Sequence, residues 1–275
     1  MAMIEMLSQL FSYTFIIRAL VVGILVSLCA ALLGVSLVLK RYSMIGDGLS
    51  HVSFGALAIA MALNLVPLEV AIPVVTIAAF GLLRISENSK IKGDAAIALI
   101  SSSALSIGVI VISLTTGMNT DVCNYLFGSI LAMSKGDVYL SVAVSLVVLV
   151  LYLLLYNKIF AVTFDESFAK ATGVKAGRYN TLISVLTALT IVIGMRMMGA
   201  MLISSLIIFP ALTSMRVCKS FRAVVASSAL LSVVCFFIGI FISFVYSIPA
   251  GAGVVAVNLT AFCLFTLLGR LLKKR

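Results

Sequence analysis

The sequence predicts an all-α, polytopic integral membrane protein, and three observations predict it. Hydrophobic residues make up 63% of the 275-residue chain and charged residues only 10%, with a mean hydropathy of +1.28. One water-soluble domain could not hide that much apolar surface. Apolar runs long enough for a hydrocarbon core of ~30 Å, which takes about 20 helical residues, recur along the whole length. The basic residues cluster at the ends of those runs, where their charged heads can snorkel to phosphate headgroups. No stretch is left over for a soluble domain, so residues 1–275 read as a single transmembrane domain.

Residues 1–13 lack a basic leader and a small-residue cleavage site, and read as an interfacial lead-in rather than a cleaved signal peptide. Spans follow near 15–39, 47–66, 69–83, 95–115, 138–157, 179–197, 199–215, 223–246 and 251–269, the third of them short. The count is nine, or eight if a short segment is re-entrant or two merge. In the first span Ser27, Ala31 and Gly34 offer a small-residue face for close helix packing. Asp94 and Asp137 each follow a glycine and precede an apolar run, the pattern of a helix N-cap. Pro210 should kink its helix, with Ser204, Ser205 and Thr213 available to compensate. Asn258 is expected to hydrogen-bond a neighbouring helix.

Nine crossings put every one of the 19 Lys and Arg residues on one face except Arg18, Lys135 and Arg196. The positive-inside rule makes that face cytoplasmic, including the loop after Tyr156 and the C-terminal Lys273, Lys274 and Arg275. The net charge of +10 therefore follows topology and implies no nucleic-acid partner. No phosphate loop, H-E-x-x-H or G-x-S-x-G motif is present. With a single histidine and scarcely any acid within the spans, the chain does not read as an enzyme, and ATP-powered transport would need a separate ATPase subunit. Cys29, Cys123, Cys218, Cys235 and Cys263 form no CxxC and read as small packing residues.

The chemistry-bearing pair is Asp47 and His51 in GDGLSHVSFGALAIAMAL, four residues apart and hence on one helical face. Such a pair costs several kcal/mol at bilayer depth unless it meets a partner, a cavity or an ion. Imidazole with carboxylate suits Zn²⁺ and also Mn²⁺ or Fe²⁺. If helix continues from Arg41 at the interface, His51 lies about 15 Å deeper. Gly46 and Gly48 would weaken the helix around Asp47 and let carbonyls turn toward a cavity. The plainer alternative is that Asp47 caps the helix and His51 makes a structural hydrogen bond.

A second feature is FDESFAKATGVKAG at 164–177, which reads as a short surface helix. Asp165 and Glu166 complement its N-terminal dipole and Gly173 ends it. On these residues alone it is a hydrated connector.

Three stretches carry a resemblance. RYSMIGDGLSHVSFGALAIA, NYLFGSIL at 124–131 and MGAMLISSLIIFPALTSM at 198–215 resemble, in order, the arginine-bearing turn with G-D-x-L-S-H, the Y-L-F-G segment and the G-x-x-L-(I/V)-S-(A/S)-L-(I/L)-I-x-P-A-x-T signature of the ABC-3 permeases of bacterial zinc, manganese and iron importers. The resemblance implies a type II ABC importer permease-like subunit in the bacterial cytoplasmic (inner) membrane. Its implied partners are a second permease copy, a cytoplasmic ABC ATPase dimer and an extracytoplasmic metal-binding protein. It implies metal coordination by Asp47 and His51, no permanently bound cofactor, and a transported divalent ion, with zinc ahead of manganese or iron on the Y-L-F-G-S stretch. It also implies that 164–177 is a coupling helix docking into the ATPase, with Asp165, Glu166, Ala169 and Gly173 the relevant positions. A secondary metal carrier, which would need coupling-ion residues that the spans scarcely hold, and a non-metal ABC importer permease remain the alternatives.

Overall fold

The computed structural model describes residues 14–88, 93–115, 128 and 134–273. All regular structure among them is helical: α1 (Thr14–Leu39), α2 (Ile45–Ala62), α3 (Pro67–Asn88), α4 (Gly93–Thr115), α5 (Lys135–Leu154), α6 (Tyr156–Phe164), α7 (Glu166–Ala171), α8 (Ala176–Met198), α9 (Ala200–Met215), α10 (Phe221–Tyr246) and α11 (Ala250–Lys273). The lead-in of Met1 to Tyr13, Cys123, and NYLFGSIL apart from Gly128 lie outside the described residues. Seven helices, α1, α2, α4, α5, α8, α10 and α11, are long and apolar enough to span a bilayer, while Pro67–Leu82 of α3 and all of α9 are shorter apolar helices. The nine expected apolar segments are thus nine helices, two of them short.

Burial separates a core from a periphery. The apolar windows of α1, α2 and α8 are each 72% buried, whereas those of α4, α5, α10 and α11 are between 22% and 33% buried. Helices that are apolar all round sit inside the bundle, and the outer ones turn most of their apolar surface outward. α2 lies against α3, α4, α8 and α9, while α9 packs on α1, α10 and α11.

Small residues set these distances. Gly34 of α1 faces the Ile207 carbonyl of α9, and a Cβ there would fall well inside contact distance. At Gly55 of α2 a Cβ would stand 2.8 Å from the Ala104 carbonyl oxygen of α4. Ser27 and Ala31 are fully buried, and the Ser27 carbonyl accepts a 2.9 Å bond from Ser232 of α10. The small face of the first span is therefore a packing seam.

Local chemistry departs from expectation at five points. Asp137 is not a cap but the third residue of a capping box: Ser134 Oγ accepts from the Asp137 amide and Asp137 accepts from the Ser134 amide, each at 3.1 Å. Asp94 lies within α4, which begins at Gly93, and so is not ahead of the helix. α2 stops at Ala62 instead of 66, because Asn64 turns left-handed at φ 52° and the Leu65 amide bonds back to the Ala60 carbonyl. Ser204 and Ser205 hydroxyls make no hydrogen bond, and beside Pro210 it is Ser228 of α10 that donates to the Pro210 carbonyl at 3.2 Å. Asn258 bonds within its own helix, donating to the Val254 carbonyl at 3.0 Å.

Ion pairs and ring contacts mark the two ends of the bundle. Lys40, after α1, reaches Glu166 of α7, and Arg216, after α9, lies 5.3 Å over the Phe262 ring of α11. At the opposite end Arg196 of α8 meets Asp137 of α5 at 3.0 Å. The Lys40–Glu166 and Arg196–Asp137 pairs bring together segment ends that nine alternating crossings put on common faces. Cys29 and Cys235 are buried and free, and Cys29 Sγ lies 3.4 Å from the Ser145 carbonyl of α5, in keeping with a packing role.

The Gly34 seam generates the first prediction. Gly34→Leu forces a side chain against backbone and should destabilise the detergent-solubilised protein by about 1–3 kcal/mol or more. Gly81→Ala, where a Cβ meets nothing within 4 Å, should leave it at least as stable, since alanine is the better helix former. Thermal unfolding followed by tryptophan-free fluorescence dyes or circular dichroism reads both, and equal midpoints for the two variants would refute the seam.

Candidate metal site and coupling loop

α2 does not continue from Arg41. Arg41 adopts φ 62°, the chain turns through residues 40–44, and the helix restarts at Ile45 with Met44 at the N-cap and no side-chain cap. Asp47 is therefore in the first turn and caps nothing, which removes the capping alternative. Ile207 of α9 touches Gly34 of α1 through its backbone and faces Gly46 of α2 through its side chain. Asp47 consequently lies near the level of Gly34, about 9 Å along α1 from Lys40, with His51 one turn further into the bundle.

The glycines beside Asp47 serve approach and not unwinding. α2 is continuous through both, and a Cβ at Gly48 would meet the Ile97 side chain of α4 at 2.7 Å. That contact corrects the expectation of a locally opened helix. It leaves the α2 backbone pairs intact and presents side chains, not carbonyls, as the donors.

His51 Nε2 stands 3.6 Å from Asp47 Oδ2. The separation is too long for a hydrogen bond, and close to the ~3.4 Å edge between two ligands of a tetrahedral zinc with ~2.1 Å bonds. The Asp47 side chain is 44% exposed and that of His51 20%, so both donors can be reached from outside one chain. His51 Nδ1 is buried without a hydrogen-bond partner. Ser50 Oγ donates to the Asp47 carbonyl at 2.7 Å. Ser204 of α9 lies beside the Asp47 carboxylate, though its hydroxyl completes no hydrogen bond. Among the described residues no group of three or more His, Cys, Asp or Glu comes together, so one chain offers the pair and no fuller ligand set. The sequence offers Ser204 only as a compensator for Pro210; its place in the S-(A/S)-L-(I/L)-I-x-P-A-x-T stretch is the available signal.

The 164–177 loop folds as a short helix with both ends specified. Asp165 is the N-cap, accepting from the Phe168 amide at 2.9 Å. At the other end the Gly173 amide bonds to the Lys170 carbonyl and the Val174 amide to the Ala169 carbonyl, with Gly173 at φ 82°. That is a Schellman closure, which needs a left-handed residue. Ala169 is fully buried with Val162 and Ala176 in a small core under the helix, so it does not lie on an outer face.

Glu166 also turns inward. Its carboxylate meets Lys170 at 2.8 Å and Lys40 at 3.5 Å and accepts from Asn180 Nδ2 at 3.0 Å, while Lys40 also donates to Asn180. Lys170, with Asn180 and Lys40, outweighs partial desolvation and holds the carboxyl at about 2, against an ordinary 4.5. The outward face instead carries Phe168, 65% exposed, with Phe164, 74% exposed, just before it. Sequence reasoning passed over both, although two phenylalanines in a charged loop were a visible sign.

A bundle of apolar helices around a half-open carboxylate–imidazole pair, with a capped helix at one end, defines a polytopic membrane protein. The chain belongs to the ABC 3 transport family, whose profile matches residues 12–269. It is a multi-pass protein of the bacterial inner membrane. It is 28% identical over 256 residues to a manganese transport system membrane protein of Halalkalibacterium halodurans, covering 93% of this chain and 88% of that one. It is 30% identical over 258 residues to a manganese import system permease of Streptococcus gordonii, covering 94% and 92%. It is 30% identical over 247 residues to a high-affinity zinc uptake system membrane protein of Haemophilus influenzae, covering 90% and 94%. Among solved structures, PsaBC from Streptococcus pneumoniae in complex with Fab matches with a TM-score of 0.85 and 30% identity, covering 96% of this chain and 95% of that chain. A metal-chelate type ABC transporter in an inward-facing conformation, 16% identical with a TM-score of 0.76, shares the fold.

The Glu166 cluster has a pH signature. Because the folded carboxyl titrates at about 2 and the ordinary value is 4.5, its stabilisation is fully present above about 4.5 and is lost as pH falls toward 2. The protection factors of α7 amides, corrected for the intrinsic pH dependence of exchange, should fall as pH is lowered across that window in the parent. In Glu166→Gln the loop should already be loosened at neutral pH, with little further change on acidification. Matching pH profiles for the two proteins would show that the cluster does not hold the loop.

Proposed function

We propose that the chain is the permease subunit of an ABC importer of divalent transition-metal ions, with Asp47 and His51 as cargo ligands. The single observation that carries the reading is the 3.6 Å carboxylate–imidazole pair, half-open on a helix of the bundle core. One chain supplies one nitrogen and one carboxylate, so a second copy bringing its own pair to a common axis would supply an N₂O₂ set. Four such ligands suit tetrahedral zinc, the first reading. Manganese is the second, favoured by the names of the Halalkalibacterium and Streptococcus relatives. ATP hydrolysis belongs to a partner ATPase, and delivery of the ion to an extracytoplasmic binding protein.

The test is metal uptake by cells carrying the complete importer. Asp47→Ala and His51→Ala should each reduce uptake by tenfold or more on the order expected for a lost metal ligand, and the double variant should be scarcely worse, since ligands of one ion act as a unit. Asp47→Asn should behave like Asp47→Ala, because the amide keeps the shape and binds a divalent cation poorly. Elemental analysis of cells offered zinc and manganese together identifies the cargo. A well-expressed, assembled His51→Ala importer that accumulates both metals at the parental rate would end the assignment.

The α7 loop is proposed as the ATPase docking element, with Phe168 as its contact and Asp165, Glu166, Ala169 and Gly173 as the residues that shape it. Phe168→Ala should weaken co-purification of the ATPase without altering the thermal stability of the permease. Glu166→Arg places a cation beside Lys40 and Lys170, and should disturb both docking and the loop. Undiminished ATPase recovery with Phe168→Ala would move the docking surface elsewhere.

A further inference from the structure

A cavity of about 470 Å³ opens between the end of α5, the start of α6, the turn that closes α7 at Thr172, Gly173 and Val174, and the first turns of α8, within the size range of small-ligand clefts. Lys158, Lys175 and Arg178 line it, together with Leu155, Tyr179 and Leu182, and no acidic residue does. None of the three cations makes an ion pair among the described residues. The nearby acids are engaged elsewhere: Glu166 holds Lys40 and Lys170, and Asp165 caps α7. α8 begins at the same place with Lys175 as an N-cap that provides no side-chain acceptor, so its positive end adds to the field. Three like charges around one concavity repel each other until an anion enters.

The apolar part of the wall says which anion. Leu155 and Leu182 belong to the inner ends of the spans, and Leu153 and Leu154 beside them are 64% and 75% exposed. The cavity therefore straddles the boundary between hydrocarbon and charged interface. Phe168, the outward residue of α7, is not part of its lining. We propose that this cavity is a binding site for the phosphate group of an anionic phospholipid of the inner leaflet, with the acyl chains lying over the α5 leucines. The bound lipid would brace the C-terminal side of α7 against α8.

Native mass spectrometry of the intact permease complex with phosphatidylglycerol in a phosphatidylcholine background tests it. Lys158→Gln, Lys175→Gln and Arg178→Gln combined should lower phosphatidylglycerol retention by roughly fivefold per cation removed. Removing three cytoplasmic-side cations elsewhere, with Arg41→Gln, Lys219→Gln and Arg270→Gln, should change it little. Arg178→Lys alone should retain most binding, which guards against loss through misfolding. Equal losses in the cavity and control variants would mean diffuse attraction and overturn the site. Displacement of the lipid by millimolar inorganic phosphate or glycerol phosphate would make it a soluble-anion site and overturn the lipid assignment. Unchanged lipid retention with lost ATPase co-purification would assign the surface to the partner instead.

Discussion

In lipid, apolar side chains gain little by leaving their surroundings for one another, so the bundle depends on how closely backbones approach. Gly34 against Ile207 and Gly55 against Ala104 are the places where that approach is made. They bring α1, α2, α4 and α9 together around the one carboxylate–imidazole pair. Without a Cβ at these points α9 stands close to both α1 and α2, and Ser204 stands beside Asp47. The polar chemistry of the core is thus positioned by residues with no polar side chain.

The two polar centres are connected through a short piece of chain. Lys40 lies at the foot of α1 and is bound to Glu166 and Asn180. Residues 40–44 then turn into α2, where Asp47 lies in the first turn. A rigid-body movement of α7 that kept its ion pairs would pull on the start of the helix that carries Asp47 and His51. The Glu166 cluster anchors the loop to the bundle and leaves Phe164 and Phe168 exposed on its other face.

Much of this was legible in advance. Segment count, the short third apolar run, a short helix within 164–177 that ends at Gly173, and the small face of α1 follow from hydropathy, helix-end chemistry and small-residue spacing, while Asp165 as the N-cap is set apart from Glu166 only by the structure. The turn before α2 is not legible, because Arg41 takes the left-handed place of a helix-end closure, with the Tyr42 amide bonded to the Leu37 carbonyl at 2.8 Å, a place that glycine or asparagine usually marks. Gly46 and Gly48 were misread for a related reason: a glycine that permits close approach and one that loosens a helix look the same in a sequence. The inward turn of Glu166 and burial of Ala169 needed knowledge of Lys40 and Asn180, which are 126 and 14 residues from Glu166. An imidazole and a carboxylate do not by themselves distinguish zinc from manganese, since both ions accept such ligands.

The junction between α8 and α9 has a mechanical consequence. A single residue, Gly199 at φ 83°, separates the end of α8 from the start of α9, and a Cβ at Gly128 would collide with the Met198–Gly199 backbone, so the corner is closed from outside. α8 starts beside the cytoplasmic loop, where Asn180 holds Glu166, and α9 returns with Ser204 to Asp47. The two helices form a bent lever without slack: a shift of the α8 foot has no flexible connector in which to dissipate before it reaches the carboxylate.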